Sequence, residues 1–264
     1  MKAGKELKRR IETETLTLGT LATFQLSVSL VDISINAGLD YLIVDLEHFS
    51  HSHQTVADVC TVGRLANFPV LIRPPSVETE TLHVIMDLGP CGLLIPYVQS
   101  TETLDQVRKS IYLQPRGDRR PGGFSIRGLS NLHYEAWKTE VEDDFIVLPQ
   151  IENRVGLANV ESIAAHPLTT AIAIGPYDLA ADLGVLYHPE QPIHIDAVRR
   201  IRQAGRKAGK NMWHIGDGAA LVAGGFSFIC IAEPTMAMET ALKKLAQAAR
   251  QGSAAAPVTT PPLP

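Results

Sequence analysis

Polar side chains that could do chemistry follow several short apolar runs of the sequence. Two of them, Glu152 and Asp178, end apolar runs and lie 26 residues apart. That spacing is about one strand–helix–strand repeat, so neighbouring parallel strands would point both carboxylates at the same opening. Two carboxylates with water are a usual site for Mg²⁺ or Mn²⁺, which prefer oxygen ligands and keep part of their hydration shell. The pair therefore predicts a divalent-cation site.

Two earlier runs end in a carboxylate, an imidazole and a guanidinium. Asp45 and His48 close the second run, and Arg73 closes the third. A guanidinium at a strand end is suited to bidentate recognition of a carboxylate or to stabilising an oxyanion. Histidine is suited to proton transfer near neutral pH. Each residue also has a structural interpretation, such as a salt bridge from Arg73 to Asp45 or Glu47 that binds no ligand.

The fifth and sixth runs add an amide and a turn. Gln150 lies at the end of the fifth run. The turn from Gly175 through Pro176 and Tyr177 to Asp178 offers backbone N–H groups beside the second proposed metal ligand, and glycine allows a close approach. Such a turn is suited to holding the carboxylate of a small acid.

A second possible metal site is a cluster of three histidines. His48, His51 and His53 follow the second run in close succession. Their spacing matches no standard structural zinc pattern, and no cysteine is nearby. We therefore expect no zinc site here, and we expect His51 and His53 to be loop residues.

The elements that must position these groups form a repeated unit of an apolar run followed by a helical pattern. Most runs are continuous rather than alternating, which is typical of parallel strands buried on both faces. Eight such units in about 250 residues are the size of an α/β (β/α)8 TIM barrel, whose catalytic groups sit at the carboxyl ends of strands. The predicted strands are Leu18–Phe24, Tyr41–Glu47, Pro69–Arg73, Gly92–Val98, Phe145–Glu152, Ala171–Gly175, Met212–Ile215 and Phe226–Ala232. A doubly wound sheet is the alternative, but no Gly-x-Gly-x-x-Gly turn follows any strand.

Apolar residues at helical spacing predict the connecting helices. The clearest are Thr55–Ala66, Thr101–Tyr112, Arg154–His166 and Asp196–Lys207. The apolar stretch Met236–Ala249 predicts a last helix that packs on its own barrel or on a neighbour's. We expect one barrel domain over 1–251 and a disordered Pro/Ala-rich tail over 252–264.

One long connection departs from this rhythm. The segment Leu113–Tyr134 carries Arg116, Arg119, Arg120 and Arg127 and is too long for a simple turn between a helix and a strand. It is either a functional or interfacial loop or a solvated basic loop, and the residues alone do not decide between them.

Composition excludes several classes of protein. The chain has 264 residues and a formal net charge of −4, which argues against non-specific nucleic-acid binding. No apolar run approaches the roughly 18–20 residues that span a bilayer. The charged N-terminus is not followed by the apolar segment of a signal peptide, so we expect a cytoplasmic protein. Cys60, Cys91 and Cys230 are widely spaced among apolar residues and are expected to be buried thiols.

As a set, these motifs resemble the class II, metal-dependent pyruvate aldolases of the HpcH/HpaI type. The resemblance extends from about Leu16 to Gln247. It rests on the segments Ala37–His48, Val70–Pro74, Gly92–Gln99, Pro115–Gly117, Gln150–Glu152 and Ile174–Leu179. It implies a (β/α)8 barrel, usually assembled as a hexamer of domain-swapped dimers in which the last helix packs on a neighbouring subunit.

The resemblance also implies roles for the polar residues. Glu152 and Asp178 match the ligands of a divalent cation, which would be Mg²⁺, Mn²⁺ or Co²⁺, with Zn²⁺ possible. Arg73 matches the arginine that contacts the keto acid and stabilises the enolate. His48 matches the catalytic histidine, and Asp45 matches its acidic partner.

Substrate contacts are implied for four further positions. Gln150 matches a glutamine that lines the pocket beside the metal. Gly175, Pro176 and Tyr177, together with the metal ligand Asp178, match the turn whose backbone holds the substrate carboxylate.

The implied activity is a carbon–carbon lyase reaction. A 4-hydroxy-2-oxo acid would be cleaved reversibly to pyruvate and an aldehyde through a metal-stabilised pyruvate enolate. None of the strand-end positions is a lysine, which argues against a Schiff-base mechanism. Three alternatives remain open: a citrate lyase or malyl-CoA lyase type of lyase or condensing enzyme, an oxaloacetate decarboxylase, and a barrel that binds a ligand without catalysis.

Two departures from the family pattern bear on the aldehyde. The residue after Asp45 is often glycine in the family and is Leu46 here, which would narrow the mouth. The region from Met212 to Gly218 is unlike typical members. Its residues Trp213 and His214 are expected to end a strand and to reshape the aldehyde side of the pocket.

Overall fold

The computed structural model describes residues 1–129, 133–186 and 188–255, without the side chains of Arg127 and of residues 252–255. Eight parallel strands close into a barrel in chain order, and β8 pairs with β1. The strands are β1 (Thr17–Ala22), β2 (Tyr41–Asp45), β3 (Val70–Arg73), β4 (Gly92–Ile95), β5 (Ile146–Ile151), β6 (Ala171–Ile174), β7 (Asn211–Ile215) and β8 (Phe228–Ala232). The predicted TIM barrel is confirmed, and the closure excludes an open doubly wound sheet.

Helices surround the barrel and fill the connections. They are α1 (Lys2–Glu12), α2 (Ser29–Asn36), α3 (His53–Leu65), α4 (Thr79–Asp87), α5 (Thr101–Ile111), α6 (Gly123–Leu129), α7 (Tyr134–Trp137), α8 (Arg154–Ala158), α9 (Val160–Ala165), α10 (Pro176–Asp182), α11 (Pro192–Lys207), α12 (Gly218–Ala223) and α13 (Pro234–Ala255). A π-helical turn, Lys138–Glu142, follows α7. The predicted helices at α3, α5 and α11 are confirmed to within a few residues.

The helix predicted over Arg154–His166 is divided into α8 and α9. The break falls at Asn159, whose side-chain Nδ2 donates a hydrogen bond to the backbone oxygen of Gln99 at 2.8 Å. Asparagine competes with the helix for backbone partners, so it favours an interruption at this position.

The period-2 alternation of the strands sorts their side chains into two layers. Leu42 and Val44 point outward to the helices, whereas Tyr41 and Ile43 point into the barrel. Each fully buried aliphatic side chain contributes about 1.5–3 kcal/mol, so the two layers together, rather than any single contact, hold the barrel. The same alternation makes every second residue at a strand's carboxyl end face the barrel mouth.

Helix α1 closes the amino-terminal end of the barrel. Leu7 and Ile11 are fully buried and belong to the same interior cluster as Ile43 and Leu71. This helix was not predicted from the sequence. Because it covers one end of the barrel, the carboxyl ends of the strands form the open end.

Two arginines of the connection over Leu113–Tyr134 are bound within the chain. Arg116 Nη1 lies 2.6 Å from Asp143 Oδ1. The buried Arg119 donates to Asp87 Oδ1 at 3.0 Å and to the backbone oxygen of Ile111 at 3.1 Å. These contacts favour a structural role for both arginines. Residues 130–132 and the side chain of Arg127 lie outside the described part.

The last helix, α13, leaves apolar side chains uncovered. Met236, Met238, Leu242 and Leu245 are each at least half exposed. The helix continues to Ala255, and the part of the predicted tail over 256–264 lies outside the described residues. The exchange of this helix between subunits stays a prediction.

The barrel interior tolerates no added atom at Gly19. A methyl group there would overlap the ring of Tyr41, whose hydroxyl accepts a hydrogen bond from Trp213 Nε1 at 2.8 Å. Gly19→Ala should therefore lower the free energy of unfolding by about 1–3 kcal/mol. The control is Gly4→Ala in α1, where the nearest atom would lie at 3.4 Å and the helix should gain up to about 1 kcal/mol. Equal urea-unfolding midpoints for the two variants would contradict this packing.

Candidate active site

Inward-facing positions at the carboxyl ends of the strands bring the predicted polar residues to one mouth. Asp45 on β2 is in register with Arg73 on β3. Gln150 on β5 is in register with Ala173 on β6. Two residues further along the chain in each case, Glu152 therefore lies beside Gly175. The arrangement places these groups at the barrel end opposite α1.

A buried ion pair lies at the centre of the mouth. Arg73 Nε donates to Asp45 Oδ1 at 2.9 Å, and Arg73 Nη2 donates to Asp45 Oδ2 at 2.6 Å. The hydroxyl of Thr23 adds a third hydrogen bond to Asp45 Oδ2 at 2.9 Å. Burial by itself would raise the pKa of Asp45, but Arg73 and Thr23 hold it below its ordinary value. The predicted salt bridge exists, and it fixes the plane of the guanidinium.

Asp45 also fixes the loop that follows β2. Its Oδ1 accepts hydrogen bonds from the backbone nitrogens of Glu47 at 3.0 Å and His48 at 3.3 Å. The sequence-based expectation was that Asp45 orients the imidazole of His48. In the structure Asp45 acts on His48 through the backbone, because its oxygens are taken by Arg73, Thr23 and the loop.

Arg73 keeps donor capacity for a ligand. Two of its three nitrogens bind Asp45, and within the described ranges Nη1 has no hydrogen-bond partner. Glu47 Oε2 lies 3.3 Å from Arg73 Nε as a second ion pair. The guanidinium is therefore held in place on one side and open on the other.

Glu152 is held by a backbone group and a glycine. The backbone nitrogen of Tyr97 donates to Glu152 Oε2 at 2.7 Å. Tyr97 has a φ of +54°, which is uncommon for a residue other than glycine, asparagine or aspartate. Gly175 packs against the Glu152 carboxyl, where any Cβ would overlap it. Both neighbours restrict the carboxylate to one position.

Negative charge is concentrated around Glu152. Burial, together with the nearby carboxylates of Glu47 and Asp178, raises the pKa of Glu152 from 4.5 to about 7, against the opposing effects of the Tyr97 N–H and Arg73. Burial also raises the pKa of Glu47, and the charge of Asp178 raises that pKa further. Three carboxylates thus share a mouth whose guanidinium is already paired.

The donor set fits a hard divalent cation. Glu47 Oε2 and Gln150 Oε1 are buried without a hydrogen-bond partner in the described part of the chain. The neighbouring carboxylates of Glu152 and Asp178 offer only oxygen donors, which suit Mg²⁺ or Mn²⁺ better than a thiolate-preferring metal. Over the same residues, no group of three or more His, Cys, Asp or Glu side chains is placed to hold a metal ion. Glu152 and Asp178 would therefore need water and substrate to complete the coordination.

Asp178 comes from a helix rather than from a strand. It lies in the first turn of α10, which begins at Pro176, and its side chain is exposed. The N–H groups of Tyr177 and Asp178 belong to this first turn and have no acceptor within the helix. The turn predicted to hold a substrate carboxylate is therefore present.

His48 is exposed and lines a cavity of about 670 Å³ beside the mouth. The cavity begins at Glu47 and His48 and continues between the segment 46–53, which follows β2, and α4. The other two residues of the histidine cluster, His51 and His53, also line it. A ligand in this cavity would reach the mouth at the imidazole.

The expectation for Trp213 and His214 is wrong. Trp213 points into the barrel, is fully buried and donates its Nε1–H to Tyr41. His214 points outward, where its ring packs edge-on against Phe226 at 5.1 Å between centroids. Neither residue forms a wall of the mouth, because Trp213 sits in the middle of β7 and not at its end.

Sequence reasoning missed two contributors to the site. The contribution of the Tyr97 backbone N–H could not be predicted from the sequence, because tyrosine rarely adopts a positive φ. Thr23 follows β1 and alternates inward with Leu21, so period-2 reasoning at that strand end could have found it.

The comparisons with known proteins agree with this geometry. Residues 25–226 match the HpcH/HpaI aldolase/citrate lyase family. The chain belongs to this family. The resemblance predicted from the sequence motifs is thereby confirmed.

Three relatives show the degree of similarity. The chain is 34 % identical over 185 residues to a hydroxypyruvate/pyruvate aldolase of Deinococcus radiodurans, covering 67 % of this chain and 66 % of that protein. It is 31 % identical over 218 residues to a 2-keto-3-deoxy-L-rhamnonate aldolase of Escherichia coli, covering 81 % of each. The crystal structure of an HpcH/HpaI aldolase from Desulfitobacterium hafniense matches with a TM-score of 0.85 and 26 % identity over 97 % of this chain and 99 % of that one. Among the described helices of this HpcH/HpaI family member, none is long and apolar enough to cross a membrane.

The Asp45–Arg73 pair should be essential for stability as well as for position. Asp45→Ala removes the bidentate partner of a buried guanidinium and leaves it only the Glu47 carboxylate at 3.3 Å, so it should lower the free energy of unfolding by about 3 kcal/mol. The control is Asp196→Ala, which removes an Asp–Arg pair of the same 2.6 Å length from the surface and should change little. Urea unfolding of both variants measures the difference.

The pH dependence of the unfolding free energy is a second test of the Asp45–Arg73 pair. Because the folded-state pKa of Asp45 lies below its ordinary 3.8, its contribution is present above that value and is lost as the pH falls through the folded-state pKa. Below about pH 4 the wild-type protein should therefore lose more unfolding free energy than Asp45→Asn does. Parallel pH curves, or similar losses in Asp45→Ala and Asp196→Ala, would contradict the assignment.

Proposed function

We propose that this protein is a class II pyruvate aldolase, a carbon–carbon lyase that reversibly cleaves a 4-hydroxy-2-oxo acid to pyruvate and an aldehyde. The observation that carries the proposal is the open Nη1 of Arg73, held by Asp45 beside the Glu47, Glu152 and Asp178 carboxylates. Membership of an aldolase/citrate lyase family, with relatives named as pyruvate and rhamnonate aldolases, supports it.

Glu152 and Asp178 are the proposed metal ligands. Their oxygens suit Mg²⁺, Mn²⁺ or Co²⁺, and such a site also accepts Zn²⁺. When bound, the cation supplies positive charge to the keto oxygen and carboxylate of the 2-oxo acid. Gln150, with its unpartnered buried oxygen, lines the pocket beside these ligands.

Arg73 stabilises the developing oxyanion. When the C3–C4 bond breaks, its electron pair moves toward C2 and negative charge accumulates on the keto oxygen. Arg73 Nη1 donates to that oxygen, and the bidentate bond to Asp45 means that no reorientation is needed as the charge grows. The product is the enolate of pyruvate, which is then protonated at C3.

His48 moves the proton of the C4 hydroxyl. Its exposed ring lines the cavity next to Glu47, where the aldehyde half of the substrate would lie. It accepts the hydroxyl proton directly or through one water molecule, which releases the aldehyde. Asp45 contributes by fixing the backbone of His48 rather than by binding its ring.

The turn at the start of α10 orients the substrate. The N–H groups of Tyr177 and Asp178 donate to the carboxylate of the 2-oxo acid, and Pro176 fixes the first residue of the helix. Gly175 keeps the backbone close to Glu152, because no larger residue fits there.

The alternative activities fit the geometry of this site less well than aldol cleavage does. A CoA ester would need cations for its phosphates, yet Arg116 and Arg119 are engaged by Asp143 and Asp87. Decarboxylation of oxaloacetate uses the same enolate and is expected as a side reaction of this site. A ligand-binding barrel without catalysis would retain metal without turnover.

We further propose a cytoplasmic homo-oligomer, a hexamer built from pairs that exchange α13. The exposed apolar residues Met236, Leu242 and Leu245 on this helix support an intersubunit contact. The three free, buried cysteines are compatible with a reducing compartment.

Loss of either metal ligand should abolish metal-dependent cleavage. Glu152→Gln and Asp178→Asn should each reduce kcat/KM by about 100-fold or more, because a bound cation contributes several kcal/mol to the transition state. The measurement is pyruvate release from a 4-hydroxy-2-oxo acid by chelator-treated protein titrated with Mn²⁺. Glu161→Gln, which removes a surface carboxylate of α9, is the control. Full activity in either ligand variant would remove the proposed site.

His48→Asn should separate the two halves of the mechanism. Aldol cleavage should slow by about 10²–10⁴-fold, the usual loss on removing a general base. Decarboxylation of oxaloacetate forms the same enolate without a C4 hydroxyl and should change by less than about tenfold. An equal loss in both assays would mean that His48 does not deprotonate the C4 hydroxyl.

A further inference from the structure

The cavity beside His48 offers a place for the aldehyde half of the substrate. It is lined by Glu47 and His48 and extends between the segment 46–53 and α4. Its volume of about 670 Å³ is within the range of small-molecule sites and exceeds the needs of pyruvate alone. The aldehyde would enter with its carbonyl at His48 and its remaining atoms toward α4.

The lining of the cavity gives the chemistry of that occupant. Ser50 and Thr81 supply hydroxyl groups, while Phe49 and Val84 supply apolar contact. Such a mixture suits a short chain that carries hydroxyl groups on an aliphatic skeleton. The hydroxyls can each donate and accept, so they match a polyol in more than one orientation.

The negative charge of the cavity lining disfavours an aldehyde that carries a carboxylate. Two carboxylates, Glu47 at the mouth and Glu80 in the first turn of α4, line the cavity, and no lysine or arginine is among the described residues that line it. His48, His51 and His53 each offer ring nitrogens for hydrogen bonds. A second carboxylate on the aldehyde would therefore lie near Glu80 without a lysine or arginine to pair with it.

We propose that Glu80 makes this cavity selective for neutral hydroxyaldehydes over aldehydes that carry a carboxylate. The inference rests on the proposed aldolase function and adds the class of its second substrate. Glu80 is exposed and its effect is screened by water, so each unit of charge should change relative kcat/KM by roughly 3–10-fold.

The test compares addition of pyruvate to glyceraldehyde and to succinic semialdehyde at pH 8 and low ionic strength. The wild-type protein should prefer glyceraldehyde in kcat/KM. Glu80→Gln should reduce the preference by roughly 3–10-fold, and Glu80→Lys should reduce it by a similar factor again. Added salt should weaken all of these differences.

The matched control is the neighbouring acid Glu78, which is exposed on the same segment but does not line the cavity. Glu78→Gln and Glu78→Lys make the same changes in net charge and should leave the preference within about twofold, since the distance to the occupant is larger. Equal effects at positions 78 and 80, or a wild-type preference for succinic semialdehyde, would overturn the assignment.

Oxaloacetate decarboxylation separates this inference from the proposed function. Glu80 variants should keep the wild-type rate of that reaction, because no aldehyde takes part in it. A protein that adds pyruvate to both aldehydes without charge preference refutes only the role of Glu80. A protein that adds pyruvate to neither aldehyde and shows no cation-dependent decarboxylation refutes the aldolase itself.

Discussion

The buried ion pair between Asp45 and Arg73 is the interaction on which the rest of the site depends. Register between β2 and β3 sets the two residues side by side, and the bidentate bond at 2.6 and 2.9 Å leaves the guanidinium one orientation. The same carboxylate accepts the backbone N–H groups of Glu47 and His48. Asp45 therefore positions both Arg73, which would bind the oxyanion, and His48, which would accept the proton of the C4 hydroxyl. A buried charge needs a partner, so stability and catalysis constrain this pair together.

The second constraint is the excess of negative charge at the mouth. Helix α1 seals the opposite end of the barrel, and the carboxylates lie at the open end, where ligands enter. Burial and the charges of Glu47 and Asp178 bring the pKa of Glu152 to about 7, which reflects the cost of keeping these groups ionised together without a cation. The Tyr97 N–H offsets part of that cost through a hydrogen bond at 2.7 Å. A divalent cation would offset more of it and would present positive charge to a 2-oxo acid.

Much of the fold could be predicted from sequence because the signal is local and repeated. Eight apolar runs gave the barrel, and the period of two placed Asp45, Arg73 and Gln150 on its inner face. What failed depends on contacts between distant residues. Trp213 looked like a strand-end residue, but its depth in β7 is set by pairing with β6 and β8 and by its bond to Tyr41. The backbone N–H of Tyr97 binds the Glu152 carboxylate, which lies 55 residues away in the chain, so local sequence does not predict the contact.

Exchange of the methyl protons of pyruvate in D₂O, followed by NMR, tests the central claim most directly. The experiment needs no aldehyde. It reports whether the site formed by Arg73, Glu152 and Asp178 converts pyruvate to its enolate. With Mg²⁺ present the methyl signal should be lost by exchange, chelation should stop the loss, and restoring Mg²⁺ should restart it. Exchange that persists after chelation, or a folded protein that binds Mg²⁺ and pyruvate but leaves the methyl signal intact, would contradict the account.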